Sequence, residues 1–361
     1  MPEPLRVALS GMGSVTSQSL VRAIRRSDPS AWILGLDADP WAVGLYQCDA
    51  QALVPMARQE AAYVAAVAEL LREQRIDLFI PGVDPELLPV ARHRARLEAG
   101  GCRVLVSSPE VIEICRDKER THLALAAAGL PFVRTWSLAA FRQAPAAEAW
   151  PVVLKPRGGS GSRGIHFALG MHQLFQPPAG EDYIVQDYLI PKSWGIRSRG
   201  DLTLEDLYKQ GRVRQDDEVG VQGVVGPDGS IAGLSACWHE HLNGIPRRTY
   251  CFSDPGVSAV ATSVLSFLAA RGLRGSCNLQ GRITDQGWML YEINPRFGAN
   301  TGMRSSVGFN EYRAIVDLFL KGLPPERAKA HLNPDESLVC LRYIAEELVP
   351  RERIERLAAG G

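Results

Sequence analysis

The chain has 361 residues, enough for two or three domains, and 46% of them are hydrophobic, which is ample for sizeable cores. Lysine plus arginine and aspartate plus glutamate each number 40, so the formal net charge is zero. This balance argues against nucleic-acid-binding and membrane-surface proteins, which usually carry a large basic excess. It is compatible with a small polyanionic ligand, because such a ligand needs only a few well-placed cations.

Targeting signals and cysteines indicate the compartment. No stretch approaches the roughly 18 consecutive apolar residues of a membrane span, and the N-terminus enters a strand without a signal-like segment. The seven cysteines are scattered and form no C-x-x-C pair, which is typical of free buried thiols. We therefore expect a cytoplasmic protein.

The first 112 residues alternate between predicted strands and helices. The first strand, residues 5–9, ends in the glycine turn Gly11-Met12-Gly13, and a helix follows at 17–26. Further patterns predict strands at 32–36, 77–80 and 102–106 and one more helix at 60–73. Alternating strands and helices predict a small parallel sheet.

The remainder of the chain has a different pattern. A single helix is predicted over 110–129, with Ser108 as its N-cap and Pro109 at its first position. Strands are predicted at 152–155, 183–188, on both sides of the turn 227–230, and at 276–283 and 288–293. One more helix is predicted at 257–271. Strands joined by hairpin turns predict antiparallel sheet in this part.

Lys155 ends a predicted strand and stands before a loop of glycines, serines and arginines, Gly158 to Gly164. Glycines let the backbone approach a ligand, so the amide groups of Ser160, Gly161 and Ser162 can cradle phosphate oxygens while Lys155 supplies a positive charge. The alternative is a flexible surface loop. The order also differs from the Walker pattern, in which the lysine follows the glycines.

A second group of polar residues lies on the last predicted hairpin. Side chains alternate along a strand, so Asn278 and Gln280 share one face, as do Glu292 and Asn294. If the strands pair, one carboxylate and carboxamides converge, and such oxygen ligands suit Mg²⁺. Arg296, just beyond the strand, would neutralise a transferring phosphoryl group. The alternative is the solvated polar face of a hairpin.

The ordered motifs resemble the landmarks of the ATP-grasp superfamily, and of its carbamoyl-phosphate-synthase large-subunit-like branch in particular. They are Lys118, the Lys155 loop, residues 184–189, Glu218 and the run Glu292 to Arg296. The resemblance covers about residues 5–325. It implies an α/β and α+β protein, with an N-terminal Rossmann-like pre-ATP-grasp domain followed by a two-lobed ATP-grasp fold. The implied boundaries are 1–112 for the first domain, 113–187 for the small lobe with a linker helix, 188–325 for the large lobe and 326–361 for a C-terminal extension.

The resemblance also implies cofactors and residue roles. The two lobes would close on ATP and Mg²⁺, with Mn²⁺ as an alternative ion. Lys118 and Lys155 would contact the phosphates or the adenine side, and Lys155 and Arg296 would be catalytic. Glu218 would accept the ribose hydroxyls. The adenine hinge would be formed by Gln186, Asp187, Tyr188 and Leu189. The metal ligands would be Gln280, Glu292 and Asn294.

Three features depart from the family pattern. The hinge acid is Asp187 where glutamate is commoner, and the first metal position is Gln280 rather than an acid, which leaves Glu292 as the clear carboxylate. The stretch 190–217 is longer than in similar proteins. It would form a substrate lid, an interface or a solvated loop.

Several residues carry two interpretations. The turn Gly11-Met12-Gly13 has the first two glycines of a dinucleotide fingerprint, and Asp37 follows the next strand, which favours an NAD-binding fold. In proteins with the resemblance above, the same sheet edge serves the acceptor substrate. Candidate substrate contacts are then Asp37, Asp39, Asp84 and Glu86 for an ammonium group, and Arg247, Arg248 and Arg304 for an anion. Each is also explained as a turn former, a helix cap or a solvated surface residue. His239 and His241 share a strand face, either as a metal pair or as ordinary histidines.

These observations predict a carboxylate–amine ligase that uses ATP and Mg²⁺, forms an acyl phosphate and acts on an amino acid or small metabolite. The carboxylate and the amine are its expected partners, and the resemblance also allows a homodimer. Alternatives are a carboxylate–thiol ligase, an ATP-binding regulatory module without turnover, and an NAD-dependent oxidoreductase.

Overall fold

The computed structural model describes residues 3–144, 150–158, 164–174, 176–178, 180–194, 217–242 and 245–359. These residues form a five-stranded, a four-stranded and a six-stranded sheet. The first sheet is parallel and the other two are antiparallel, as the change of sequence pattern predicted.

The N-terminal sheet has the strand order β3-β2-β1-β4-β5. Its strands are β1 (Arg6–Ser10), β2 (Trp32–Asp37), β3 (Ala50–Leu53), β4 (Leu78–Ile80) and β5 (Arg103–Val104). The helices around it are α1 (Val15–Ser27), α2 (Glu60–Glu73), α3 (Asp84–Arg92) and α4 (Arg94–Glu98). The strands are short apolar runs because helices cover the sheet. Strands β1 and β4 are neighbours, so their carboxyl ends lie side by side.

The predicted helix at 110–129 is two helices. α5 (Pro109–Arg116) is capped by Ser108, as expected, but it ends at Asp117, and α6 (Lys118–Ala127) begins at the next residue. The Asp117 side chain accepts hydrogen bonds from the amides of Glu119 and Arg120 at 3.1 and 3.2 Å. A short acidic side chain competes with the helix backbone and favours a cap, so the chain restarts there. The break places Lys118 at the first position of α6.

The small lobe contains the four-stranded sheet in the order β6-β9-β7-β8. Its elements are β6 (Thr135–Ser137), α7 (Leu138–Gln143), β7 (Val152–Pro156), β8 (His166–Ala168) and β9 (Tyr183–Asp187). Apolar side chains of these elements form a core of their own, with Phe141, Val152, Leu154 and Val185 almost fully buried.

The large lobe contains the six-stranded sheet in the order β14-β13-β10-β11-β12-β15. Its elements are β10 (Glu218–Val225), β11 (Ile231–Leu242), β12 (Ile245–Phe252), α8 (Pro255–Ala269), β13 (Gly275–Thr284), β14 (Gly287–Asn294) and β15 (Val339–Leu341). The linker helices α5 and α6 insert Val111, Cys115 and Leu125 into the core of this lobe.

The C-terminal part joins the first domain to the large lobe. Its helices are α9 (Thr301–Ser306), α10 (Glu311–Ile315), α11 (Pro325–Ala328) and α12 (Arg351–Ala358), with a π-helical turn at Val316–Leu320. Phe297 and Tyr312 lie in the same hydrophobic core as Val7 and Leu9 of β1. The predicted C-terminal extension supplies β15 to the large sheet and packs α12 against β3.

Two properties of the whole chain bear on its compartment. The seven cysteines are free, and six of them are buried, as their scattered positions predicted. Among the residues that the structure describes, no helix combines the length and the apolar character that crossing a bilayer requires.

Candidate active site

Two buried lysines from different elements lie near Glu292 at one cleft of the protein, whose cavity is lined by Lys118 and Glu292. Lys155 on β7 is 7% exposed and Lys118 at the start of α6 is 5% exposed. Burial lowers the pKa of Lys155 to about 7, and repulsion from Lys118 adds to this effect, while Glu292 opposes it. Bound phosphate oxygens would favour the ammonium form of Lys155, because an opposite charge nearby raises the pKa of a lysine.

The predicted oxygen cluster assembles on the strands β13 and β14, beside this cleft. β13 and β14 pair with Gln280 opposite Glu292 and Asn278 opposite Asn294. The Asn294 Nδ2 donates to Gln280 Oε1 at 3.1 Å and to Glu292 Oε1 at 3.3 Å. The strand alternation thus brings the three proposed metal ligands together, and their role as ligands stays a prediction.

Glu218, the predicted ribose contact, is tied to this oxygen cluster. Its Oε1 accepts a hydrogen bond from Gln280 Nε2 at 3.0 Å, and its Oε2 accepts one from the Tyr291 hydroxyl. The His241 Nε2 lies 3.6 Å from the same carboxylate. Glu218 is 2% exposed, so these contacts occupy its two oxygens in the ligand-free structure.

Tyr291 is a site residue that the sequence analysis missed. Strict alternation would turn it away from Glu292, but Gln280 pairs with Glu292 and Gly281 pairs with Leu290, so the ladder skips Tyr291 in a β-bulge. Bulges re-aim side chains, and this one directs the tyrosine into the cleft. Its ring centroid lies 5.2 Å from Lys155 Nζ. The signal in the sequence was Gly281, where a Cβ would meet Met289 O at 2.4 Å.

The donor set fits Mg²⁺. Gln280, Glu292 and Asn294 offer one carboxylate and two carboxamide oxygens, and Mg²⁺ takes one or two protein carboxylates with substrate phosphates and water completing its shell. In the described part of the chain no three histidine, cysteine or acidic residues gather as a metal site. Glu292 is the one carboxylate among the three proposed ligands.

The hinge residues use their polar groups within the protein. Gln186 Nε2 donates to Thr135 Oγ1 at 2.9 Å, and Asp187 Oδ2 accepts from Arg134 Nε at 2.6 Å. The amide of Tyr188 donates to a carbonyl at 3.0 Å, and the carbonyl of Leu189 accepts from a guanidinium at 3.0 Å. The structure places these four residues at the junction of the lobes, and their contact with adenine stays a prediction. Ser160, Gly161 and Ser162 lie outside the described residues, as does most of the stretch 190–217.

Arg296 contacts Asp84 of the N-terminal domain. Its Nε and Nη2 each donate to one Asp84 carboxylate oxygen at 2.7 Å, and its Nη1 donates to Phe297 O at 2.9 Å. The guanidinium also lies 3.4 Å from Asn294 Oδ1 of the oxygen cluster. A cavity of about 140 Å³ adjoins this ion pair and is lined by Asp84, Lys118, Glu292 and Asn294 among others.

Four predicted substrate contacts occupy other environments. Arg304 is 1% exposed and forms a 2.7 Å ion pair with Glu311, which holds its side chain inside the protein, and its contact with a substrate stays a prediction. Glu86 is buried and accepts hydrogen bonds from Ser10 Oγ and the Gly82 amide, and burial raises its pKa to about 7. Arg247 and Arg248 lie on the strand β12 rather than in a loop, and Arg248 pairs with Glu240.

The structure uses Asp37, the acidic residue of the dinucleotide interpretation, for contacts within the N-terminal domain. Asp37 Oδ2 accepts a hydrogen bond from the Gly13 amide at 2.7 Å, and Oδ1 accepts from the amides of Ala38 and Asp39 at 2.7 and 3.0 Å. The carboxylate closes the glycine turn. The histidine pair is likewise used internally, since His239 is buried between Thr249 and Asn300.

Comparisons with known proteins agree with this architecture. Residues 8–105 match the family model described as the PylC-like N-terminal domain. The uncharacterized protein y4rH of Sinorhizobium fredii (strain NBRC 101917 / NGR234) is 29% identical over 202 residues, 53% of this chain. The match spans 38% of that relative's length.

Solved structures show the same fold at low identity. An N5-carboxyaminoimidazole ribonucleotide synthetase from Thermus thermophilus has a TM-score of 0.63 and 14% identity, covering 91% of this chain and 79% of its own. An L-amino acid ligase from Bacillus licheniformis has a TM-score of 0.64 and 13% identity, with coverages of 92% and 78%. An N5-carboxyaminoimidazole synthetase from Staphylococcus aureus, complexed with ADP, has a TM-score of 0.64 and 14% identity, and the match covers 89% of this chain and 78% of its own. The chain has the ATP-grasp fold that its motifs predicted, and its residues 8–105 match the model of the PylC-like N-terminal domain.

Proposed function

We propose that the protein is a ligase that couples ATP hydrolysis, with Mg²⁺, to bond formation between a carboxylate and an amine. The observation that carries the proposal is that the buried Lys118 and Lys155 lie beside the oxygen cluster of Gln280, Glu292 and Asn294. Lysines beside oxygen ligands suit a nucleotide polyphosphate bound with a divalent ion.

The proposed reaction has two steps. An oxygen of the substrate carboxylate attacks the γ-phosphorus of ATP, and the bond to the β–γ bridging oxygen breaks to release ADP and leave an acyl phosphate. The amine nitrogen then attacks the acyl carbon, phosphate leaves and a proton is lost from nitrogen. Bound Mg²⁺ would neutralise and orient the phosphates. The buried lysines would hold them in line, and Arg296 would stabilise the transferring group.

The fold supports this assignment and its substrate class. Proteins of the same fold include an L-amino acid ligase and synthetases, one of them complexed with ADP. Among such chemistries, we favour an amino acid or another small metabolite as the carboxylate. The N-terminal domain, which lies beside the oxygen cluster at Asp84, would help to hold it.

The experiment is a screen of carboxylate and amine pairs for ADP release with MgATP. We expect turnover with at least one pair, and we expect Lys155→Ala and Arg296→Ala to abolish it with the fold retained by circular dichroism. Lys329→Ala, at an exposed position, is the control. Near-normal turnover in Lys155→Ala would overturn the phosphate site. Stabilisation by MgATP without ADP release for any pair would indicate a regulatory module, and stabilisation by NADH instead would indicate an oxidoreductase.

A further inference from the structure

The Asp84–Arg296 ion pair joins two groups that the proposed reaction needs separately. Asp84 begins α3, directly after β4 of the N-terminal domain, and Arg296 follows β14 of the large lobe. The two side chains meet in a two-pronged contact, with both N···O distances at 2.7 Å. They are 24% and 12% exposed, respectively. Bidentate hydrogen bonds between a guanidinium and a carboxylate are stronger than hydrogen bonds between neutral groups, so the guanidinium is held in a defined orientation.

In this arrangement Arg296 directs two of its three nitrogens at Asp84. The third nitrogen donates to the Phe297 carbonyl. A bidentate grip on a phosphoryl group would therefore require Arg296 to leave Asp84. Breaking this ion pair costs each group a strong charge-assisted contact. The pair should open most readily when a ligand offers an opposite charge to both groups.

A zwitterion supplies both partners at once. Its carboxylate would lie toward Arg296 and the oxygen cluster, and its ammonium group would take the place of the guanidinium on Asp84. The cavity of about 140 Å³ beside the pair has room for such a molecule, since on the same measure one water needs roughly 15 Å³. Its lining includes the basic Lys118 and the acidic Glu292 beside apolar residues, so it offers a contact to a group of either charge.

We propose that the Asp84–Arg296 ion pair keeps Arg296 away from the nucleotide until a small amino acid binds, with its ammonium group on Asp84 and its carboxylate ready for phosphorylation. This inference rests on the proposed ligase function and adds to it a binding contact for the ammonium group of the substrate and a control of the reaction. The control suppresses the wasteful path. In that path a water oxygen attacks the γ-phosphorus, the bond to the β–γ bridging oxygen breaks, and ADP, phosphate and a proton are released.

The test compares Asp84→Asn with the wild type. The amide keeps the shape of the side chain but not its charge, so Arg296 is released and the ammonium contact is lost. With MgATP alone, we expect ADP release to rise at least fivefold in Asp84→Asn and to return to the wild-type level or below in Asp84→Asn/Arg296→Ala. With substrate, we expect the KM of the preferred amino acid to rise at least tenfold. The preference for that amino acid over the same acid without its amino group should disappear.

Asp49→Asn is the matched control, because Asp49 forms a 2.7 Å ion pair with Arg25 in the same domain. It should change neither basal ADP release nor the preference. A purely structural role for Asp84 predicts less ADP release with and without substrate and an unchanged preference, and that result would overturn the inference.

Failure of the ligase proposal gives a different result. If the wild type binds MgATP but joins no pair of substrates, the ligase function is wrong. The control of Arg296 is then judged by calorimetry, where Asp84→Asn should bind MgATP more tightly, and an unchanged Kd would overturn it. Absence of MgATP binding in both proteins would overturn both proposals.

Discussion

Lys155 lies in a buried site beside other positive charges. Burial, with Lys118 and Arg282, lowers its pKa to about 7, against the pull of Glu292 and Glu218. In the unfolded chain the amine has an ordinary pKa of about 10.4. Between these values the unfolded state binds more protons than the native state, so native stability increases as the pH rises and decreases as the pH falls toward 7.

Lys155→Met should therefore stabilise the ligand-free protein in a pH-dependent way. It removes the buried charge, and we expect a gain of roughly 2–4 kcal/mol in the free energy of unfolding near pH 6 that shrinks toward zero as the pH approaches 10. Urea unfolding at several pH values measures this difference. Lys329→Met, at an exposed position, should show no such trend. A gain that is the same at every pH would contradict the buried ammonium group.

Tyr291 should matter to nucleotide binding through two separate contacts. Its hydroxyl donates to Glu218, and burial raises the pKa of that hydroxyl well above its usual value, so it remains a donor at neutral pH. Its ring lies beside Lys155, a contact of about 0.5–2 kcal/mol. We expect Tyr291→Phe to weaken MgATP binding several-fold and Tyr291→Leu to weaken it further.

Calorimetric Kd values for the two variants measure these contributions. Tyr343→Phe is the control, because Tyr343 is 82% exposed. An unchanged Kd in Tyr291→Phe would show that the hydroxyl contact does not contribute to MgATP binding. An equal loss of MgATP affinity in Tyr291→Phe and Tyr291→Leu would show that the ring contact does not contribute.

Local sequence patterns predict the oxygen cluster but not its surroundings. The alternation rule places Gln280 beside Glu292 and Asn294 once the hairpin forms, and the structure has this register. The position of Tyr291 depends on a bulge, which the close approach of the backbone at Gly281 imposes across the strands. Arg296 pairs with Asp84 of the N-terminal domain, and Arg304 bonds Glu311 on the next helix and Gln222 on β10, so these contacts depend on packing between elements rather than on a local pattern.

At the scale of elements, capping residues predicted helix starts better than helix ends. Ser108 and Pro109 begin α5 as expected, yet Asp117 interrupts a pattern whose helical periodicity continues through residue 127. The strand β12 was also missed, because its arginines and proline conceal an alternating buried face that Thr249 and Cys251 supply. Its neighbours in the sheet, β11 and β15, decide its conformation.

The helices α9 and α10 depend on a buried ion pair. Arg304 on α9 bonds Glu311 on α10 at 2.7 Å and also donates to Gln222 Oε1 on β10 at 2.7 Å. Arg304→Met leaves Glu311 buried without its cation, and we expect the free energy of unfolding to fall by about 3–5 kcal/mol.

The double variant Arg304→Met/Glu311→Leu should recover at least half of that loss, because no uncompensated charge remains. Urea unfolding of the single and double variants checks both results. Arg351→Met is the control, since it breaks an exposed pair with Glu355, and it should change stability by less than about 0.5 kcal/mol. No recovery in the double variant would show that packing, not charge, dominates at this site.

At the scale of the whole molecule, the hydrophobic cores divide the chain unequally. One core contains both Leu9 of the N-terminal sheet and Tyr312 of the C-terminal part, so these regions form one packed body with the large lobe. The small lobe has a separate and smaller core around Phe141 and Val185. A lobe with its own core can move as a unit, which is how an interlobe cleft admits and encloses a nucleotide.

Hydrogen exchange should reveal this division. We expect the amides of β7 and β9 in the small lobe to exchange faster than those of β1 and β13, because fewer buried contacts hold the small lobe. MgATP should slow exchange in β7 and β9 several-fold, since a ligand between the lobes joins Lys155 of one to Glu292 of the other, and it should leave β1 nearly unchanged. Mass spectrometry of peptides covering these four strands measures both effects. Slowing confined to β1 would place the nucleotide in the N-terminal domain, because only a ligand on that sheet would protect it while leaving the interlobe cleft untouched.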